Sequence, residues 1–287
     1  MSTMWQEIRF KVLHSGSRLN LLIGINIAVY IVLGLIGVFE RLSTGGGTLS
    51  LALNSYLALP SYLPTLLFRF WTPFTFMFMN RGLLTFIFDM LWFFWMGQIF
   101  QEYLGNKKLV AIYIFGGLGS AALFLLGFNI FPFLADYRLH ATAVGAPGCI
   151  MAVIVGTATL LPDYTIFMLF IGAVRLKWLV LVYVIIDVLL LLDEPGESFV
   201  HLGGALIGFI FIKQLQRGND WSRPFERLFQ PRPKLKVAVK NSGKFTNARP
   251  RQDEIDRILD KISQTGYDSL SKQEKETLFR ASSDDKS

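Results

Sequence analysis

Val144-Gly145-Ala146-Pro147-Gly148-Cys149 and Val200-His201-Leu202-Gly203-Gly204-Ala205-Leu206-Ile207-Gly208 are the two stretches that decide the reading of this chain. Each opens a long apolar run. On a helix, His201, Gly204 and Gly208 fall at i, i+3 and i+7 and share one face, with the imidazole beside two points where a neighbouring backbone can come close. Gly148, Ala152 and Gly156, at i, i+4 and i+8, form a matching small face. In a membrane such faces pack tightly, because small residues rather than burial from water drive association there. The residues that open the first helix are therefore expected near His201.

The composition agrees with a membrane setting. The 287 residues are 52% hydrophobic and 17% charged, with a mean hydropathy of +0.44, too apolar for an ordinary soluble domain. A single cysteine, Cys149, excludes an intrachain disulfide. The net charge of +7 is uneven: between Lys213 and Arg251 eleven basic residues face only Asp220 and Glu226. That pattern reads as a basic cytoplasmic flank suited to anionic lipids, not as a nucleic-acid surface. His14, His140 and His201 are scattered without metal-ligand spacing, and there is no glycine-rich phosphate loop, so no metal or cofactor is expected.

Six apolar runs follow one another. Leu19 to Phe39 is long enough to span a bilayer and lacks a clear signal-peptide cleavage site, so it reads as helix 1. Glu40 to Arg81 is a long connection, rich in Gly and Pro but apolar around Phe68, Phe70, Trp71, Phe74 and Phe76, which suits short helices in the membrane interface. Leu83 to Phe100 is helix 2, 101–108 a polar turn, and Leu109 to Ile130 helix 3. Pro147 to Leu161 is helix 4, short for a full span and so able to put its first residues at the floor of a cavity. Trp178 to Leu192 is helix 5 and Phe199 to Leu215 helix 6. Arg9, Lys11, Arg18, Lys107, Lys108, Arg175, Lys177 and the basic tail then share one side. Asp193, Glu194 and Glu197 fall on the other, which places both termini in the cytoplasm. The boundaries are 1–18 for the N-terminus, 19–217 for the membrane domain and 218–287 for a linker and tail. In the tail, Asp253 to Ile262 has helical apolar spacing, and Ser271-Lys272-Gln273-Glu274 is a capping box.

The paired glycine motifs resemble those of the rhomboid family of intramembrane serine proteases, bacterial type, in which Gly-x-Ser-Gly opens the fourth helix and His-x-x-Gly-x-x-x-Gly lies in the sixth. His201, Gly204 and Gly208 match the second motif. Gly145 and Gly148 match the first, but Pro147 stands at the serine position. The resemblance implies a six-transmembrane-helix rhomboid fold, all α, in a bacterial inner membrane, with Asn80, Thr85 and Asp89 in the oxyanion region and His201 as general base. Phe68-Arg69-Phe70-Trp71 likewise resembles the family's first-loop Trp-Arg segment, and the tail a helical hairpin of some bacterial members.

Proline has neither a hydroxyl nor an N–H, so it removes the nucleophile and a backbone donor, while suiting the first turn of a helix. Asp89 replaces an amide donor with a carboxylate. Cys149 lies two residues on, about 200° around the helix, and Ser120, Thr142 and Ser198 have no motif support. The resemblance thus implies a pseudoprotease that binds transmembrane segments of client proteins in the cavity above helix 4, through Asp89 and His201. The rivals are an active serine endopeptidase and, from Asp89, Asp187 and His201 at membrane depth, a transporter-like channel.

Overall fold

The computed structural model describes residues 16–168, 172–223 and 252–284. The expected N-terminal basic residues Arg9 and Lys11, and the stretch 224–251 that carries most of the basic flank, lie outside them. The chain divides into two compact units, 1–231 and 232–287.

The first unit is a helical assembly. Helix α1 (Arg18–Thr44) begins on Ser17, whose hydroxyl accepts from the Asn20 amide, and ends on Gly45 in the left-handed conformation. Its last turn carries the buried Glu40, whose carboxylate accepts from the Leu49 and Ser50 amides at the start of α2 (Thr48–Leu57). Two short helices, α3 (Leu63–Phe68) and α4 (Thr72–Thr75), each with proline in the first turn, complete the connection. Leu67, Phe68 and Phe70 stand exposed there, which suits a segment lying against lipid. Arg69 Nη1 donates to the Ser55 carbonyl (2.7 Å) and Trp71 Nε1 to that of Tyr56 (3.1 Å), tying α3 and α4 back to α2.

Helix α5 (Leu83–Ile130) bends at Gly105, whose φ of 81° and ψ of 171° are not helical. As a straight rod its 48 residues would reach about 72 Å, more than twice the hydrocarbon thickness of a bilayer. The bend folds it instead into two arms. Phe93 and Tyr113, on either side of Gly105, have ring centroids 5.2 Å apart, so the arms run antiparallel and in contact. The turn expected at 101–108 is therefore a single non-helical glycine, and Gln101 and Asn106 keep helical geometry. Gln101 Oε1 accepts from the Ser17 hydroxyl, and Asn106 Oδ1 from the Arg18 amide, fastening the start of α1 to the bend.

The remaining elements are α6 (Pro147–Leu160), α7 (Leu176–Leu189) and α8 (Pro195–Gln216). Helix α8 begins at Pro195, four residues before the expected Phe199. Proline supplies a pre-set φ, and Glu197 lies in the first turn, where the helix dipole favours a carboxylate. A strand pair not anticipated from sequence, β3 (Thr165–Met168) and β4 (Gly172–Arg175), joins α6 to α7. There Lys177 Nζ sits 2.7 Å from Asp163, and this hydrogen bond holds the Asp163 carboxyl below its ordinary range. The first two strands, β1 (Leu59–Pro60) and β2 (Thr142–Ala143), pair antiparallel above the bundle.

Small residues form the centre of this bundle. A Cβ on Gly204 would stand 1.9 Å from the Gly148 carbonyl oxygen, and one on Gly208 2.3 Å from that of Ala152. On the other side of α6, a Cβ on Gly116 would meet the Ala152 side chain at 2.3 Å, and one on Gly203 of α8 would meet the Gly119 carbonyl at 2.7 Å. Helices α6, α8 and the second arm of α5 thus cross nearly backbone to backbone. Among the described residues three helices, α1, α5 and α8, are long and apolar enough to cross a membrane; α6 is apolar but shorter.

In the second unit, α9 (Gln252–Thr265) and α10 (Lys272–Asp284) form a hairpin. The capping box is present: the Ser271 amide donates to Glu274 Oε2 at 2.7 Å, and the Glu274 amide to Ser271 Oγ at 3.3 Å. Lys261 Nζ reaches Glu274 from α9 at 2.8 Å.

Gly204→Ala should destabilise the bundle by about 1–3 kcal/mol or more, because no flexible side chain can yield to the new methyl group. Gly34→Ala, with open space around it, should not destabilise. Thermal unfolding in detergent micelles, followed by circular dichroism, separates the two.

For the hairpin, the Lys261 hydrogen bond draws the Glu274 pKa down from 4.5 to about 2. A depressed carboxylate stabilises the fold above its unfolded value and loses that contribution as pH falls through its folded one. Carboxyl carbon resonances should therefore report Glu274 titrating near 2, and in Lys261→Ala closer to 4.5.

Candidate functional site

A cavity of about 400 Å³ lies where the start of α6 meets the start of α8. Asn80, Arg81, Thr85 and Asp89 line it from the beginning of α5, Thr142 to Gly145 and Pro147 from the loop into α6, and Glu194, Gly196, Glu197 and Val200 from α8. The loop owes its course to Gly145, whose φ of 125° is open to glycine and whose amide donates to the Phe76 carbonyl at 3.0 Å. Pro147 is the first residue of α6, and its ring walls the cavity. A second, apolar slot of about 100 Å³ continues from it. Asp89 and Trp92 of α5, Pro147, Ile150, Met151 and Ile154 of α6, and Leu179 and Tyr183 of α7 surround that slot, so Asp89 and Pro147 belong to both spaces. Among the described residues Asp89 makes no hydrogen bond or ion pair with another side chain.

His201 is buried behind this cavity and does not line it. Its Nδ1 lies 2.8 Å from Asp187 Oδ1 of α7. That is hydrogen-bond distance, and the pair joins α7 to α8. Nε2 faces Glu197 Oε1 at 3.9 Å, beyond hydrogen-bond range, and the Tyr183 ring lies 5.8 Å from the imidazole. Asp187 Oδ2 is buried with no hydrogen-bond partner in the structure.

An imidazole oriented by a carboxylate can act as a base only on a group within reach. None of the candidate nucleophiles is hydrogen-bonded to it. Cys149 points to the second arm of α5, where its Sγ would stand 2.7 Å from a Cβ on Gly117. Ser120 Oγ is buried without a partner beneath Gly148, Thr142 Oγ1 accepts from Arg81 at 3.2 Å, and Ser198 is buried one turn before His201. The arrangement brings Asn80, Thr85, Asp89 and Pro147 together in one space and leaves His201 behind it.

A chain of buried amides supports the cavity. Asn80 Nδ2 donates to Asn26 Oδ1 (3.3 Å), Asn26 Nδ2 to the Tyr113 hydroxyl (3.1 Å), and that hydroxyl to the Met77 carbonyl (3.0 Å). Sequence reasoning missed this chain, the Asp187–His201 pair and the cavity positions of Arg81, Glu194 and Glu197. Asn26 in helix 1 and Asp187 in helix 5 each interrupt an apolar run, and that was the signal available.

These features define a helical membrane protein with a polar cavity between the starts of α5, α6 and α8. Over residues 23–269 the chain matches the family described as eukaryotic integral membrane proteins (DUF1751), and it belongs to that family. No curated protein matches it significantly. The family match overturns the assignment to bacterial rhomboid proteases and, with it, a bacterial inner membrane as the location. The physical reason lies in the motifs themselves: Gly148, Gly204 and Gly208 encode close helix crossing, a need of many membrane bundles.

Tyr113→Phe should cost about 1–3 kcal/mol, since it strips the Met77 carbonyl of its donor and Asn26 of an acceptor. Denaturant titration in mixed micelles measures the loss.

Proposed function

We propose that this integral membrane protein is a receptor for transmembrane segments of other membrane proteins, which enter sideways between the first arm of α5 and α7. The observation that carries the reading is the continuity of the apolar slot with the polar cavity through Asp89 and Pro147. A surface facing only lipid has no use for a carboxylate, which is costly at membrane depth and marks a functional group by default. The walls of the slot, Trp92, Leu179 and Tyr183, suit an apolar helix; the cavity behind suits a polar residue within it.

Six crossings with both termini in the cytoplasm fit this reading. Each arm of α5 is long enough for one, and α6 and α7 supply two short ones. At 14 residues each, these last reach about 21 Å, less than the hydrocarbon thickness. A bilayer thinned around them would lower the cost of bringing a polar residue of the client to the cavity. The basic flank from Lys213 then faces the anionic cytoplasmic leaflet. Proteolysis finds no support in the site, because Pro147 has no attacking atom and, among the described residues, no hydroxyl or thiol is hydrogen-bonded to His201.

The test uses single-span peptides carrying one polar residue at varied depth, reconstituted with the protein in nanodiscs. Photo-crosslinkers at Leu179 should capture peptides whose polar residue lies in the outer third, and those at Val32, exposed on α1, should not. Asp89→Leu should weaken capture about tenfold or more, the loss expected from one charge-assisted hydrogen bond. Equal capture at both positions, or indifference to Asp89→Leu, would sink the reading.

A further inference from the structure

Helix α7 is thinly anchored. Of its 14 residues only Leu176, Val180 and Asp187 are buried, while Trp178, Leu181, Val182, Ile185, Ile186, Val188 and Leu189 stand exposed. At its first end it is tied by the Leu176 amide to the Tyr164 carbonyl (2.9 Å) and by Lys177 to Asp163. Near its other end, among the described residues, the one buried polar tie to another helix is the pair of Asp187 with His201 on α8. No small-residue face fixes α7 in the way that Gly148 and Gly204 fix their two helices.

Leu179, Tyr183 and Asp187 fall at i, i+4 and i+8, so they share one face of α7. The first two wall the apolar slot, and the third is held by His201. Displacing the slot's wall therefore pulls on the hydrogen bond between Asp187 and His201. From these placements we infer that Asp187 and His201 form a latch that holds α7 closed over the slot and sets how readily a transmembrane segment enters. The inference rests on the slot being the entry site. The other groups around the imidazole are Tyr183 from α7, Glu197 from the preceding turn of α8 and Asp89 from α5. Of these, neither Glu197 nor Tyr183 hydrogen-bonds to it, so neither substitutes for Asp187. The unpartnered Oδ2 of Asp187 fits a contact built to open, since one hydrogen bond and not two must break.

The experiment places genetically encoded spin labels on the full chain in nanodiscs, leaving Cys149 untouched. One pair, at Leu91 on α5 and Ile185 on α7, spans the slot; a control pair, at Leu126 on α5 and Leu206 on α8, spans the small-residue core. Asp187→Asn and His201→Gln should each widen the slot distance or its distribution by more than about 2 Å, with the control pair unchanged, and the double variant should add nothing further. Crosslinking of the peptides at Leu179 should rise in parallel. Unchanged slot distances in both single variants overturn the latch, as does equal broadening of the control pair, which would mark general loosening. If the slot widens but crosslinking at Leu179 stays at background in every variant, the latch stands and the receptor reading falls.

Discussion

The close contact between the Gly148 and Gly204 backbones is the constraint on which the rest of the molecule depends. With no side chain between them, α6 and α8 meet at a separation that any Cβ would forbid, and the second arm of α5 reaches both through Gly116 and Gly119. In a bilayer this closeness has to supply the attraction by itself, since lipid tails solvate leucine as well as another helix does. The contact also fixes depth. Gly148 is the second residue of α6, so anchoring it to the middle of α8 puts the helix start, and the Pro147 ring, well inside the bundle. The space left above is the cavity.

Around that core the peripheral helices are held by a different device. Helix α1 buries only Leu19, Leu22, Asn26 and Glu40, and α7 only three residues. Each attaches through a polar side chain that reaches inward. Asn26 joins Tyr113 and Asn80, and Asp187 joins His201. A buried polar group in hydrocarbon is costly when unpaired, so each helix is held in one register by the need to satisfy it. The two attachments differ in strength of commitment: the Asn26 amide is bonded through both its oxygen and its nitrogen, and its chain ends on the Met77 carbonyl, whereas Asp187 leaves one oxygen unmatched.

What the sequence made legible was local periodicity. The spacing of His201, Gly204 and Gly208 and of Gly148 and Ala152 describes faces of single helices, and the structure sets those faces against each other. The capping box at Ser271 was equally local. What could not be read were pairings across the chain: Asn26 with Tyr113 spans 87 positions and Asp187 with His201 joins separate helices, so no period connects them. The bend at Gly105 was hidden because its polar flanks resemble a loop, while Gln101 and Asn106 in fact use their amides to hold α1. Family membership was the least legible of all, because glycine spacing records how closely two helices approach and not what chemistry the resulting cavity serves.

The same reasoning bears on His201, whose motif resembles that of a base and whose ring is held by a carboxylate. A catalytic imidazole needs a carboxylate on one nitrogen and a reacting group on the other. Here Nδ1 meets the first condition, but Nε2 looks toward the Glu197 carboxylate, and proline occupies the nearest helix start. Asp187 comes from α7, of which only three residues are buried, and its partner on α8 ties that helix to the bundle. Asp89, by contrast, makes no side-chain hydrogen bond or ion pair among the described residues and lines both the slot and the cavity. One carboxylate is thus tied to a neighbouring helix and the other lines both spaces, and it is this division that motivates the proposal of a site for another molecule's polar group.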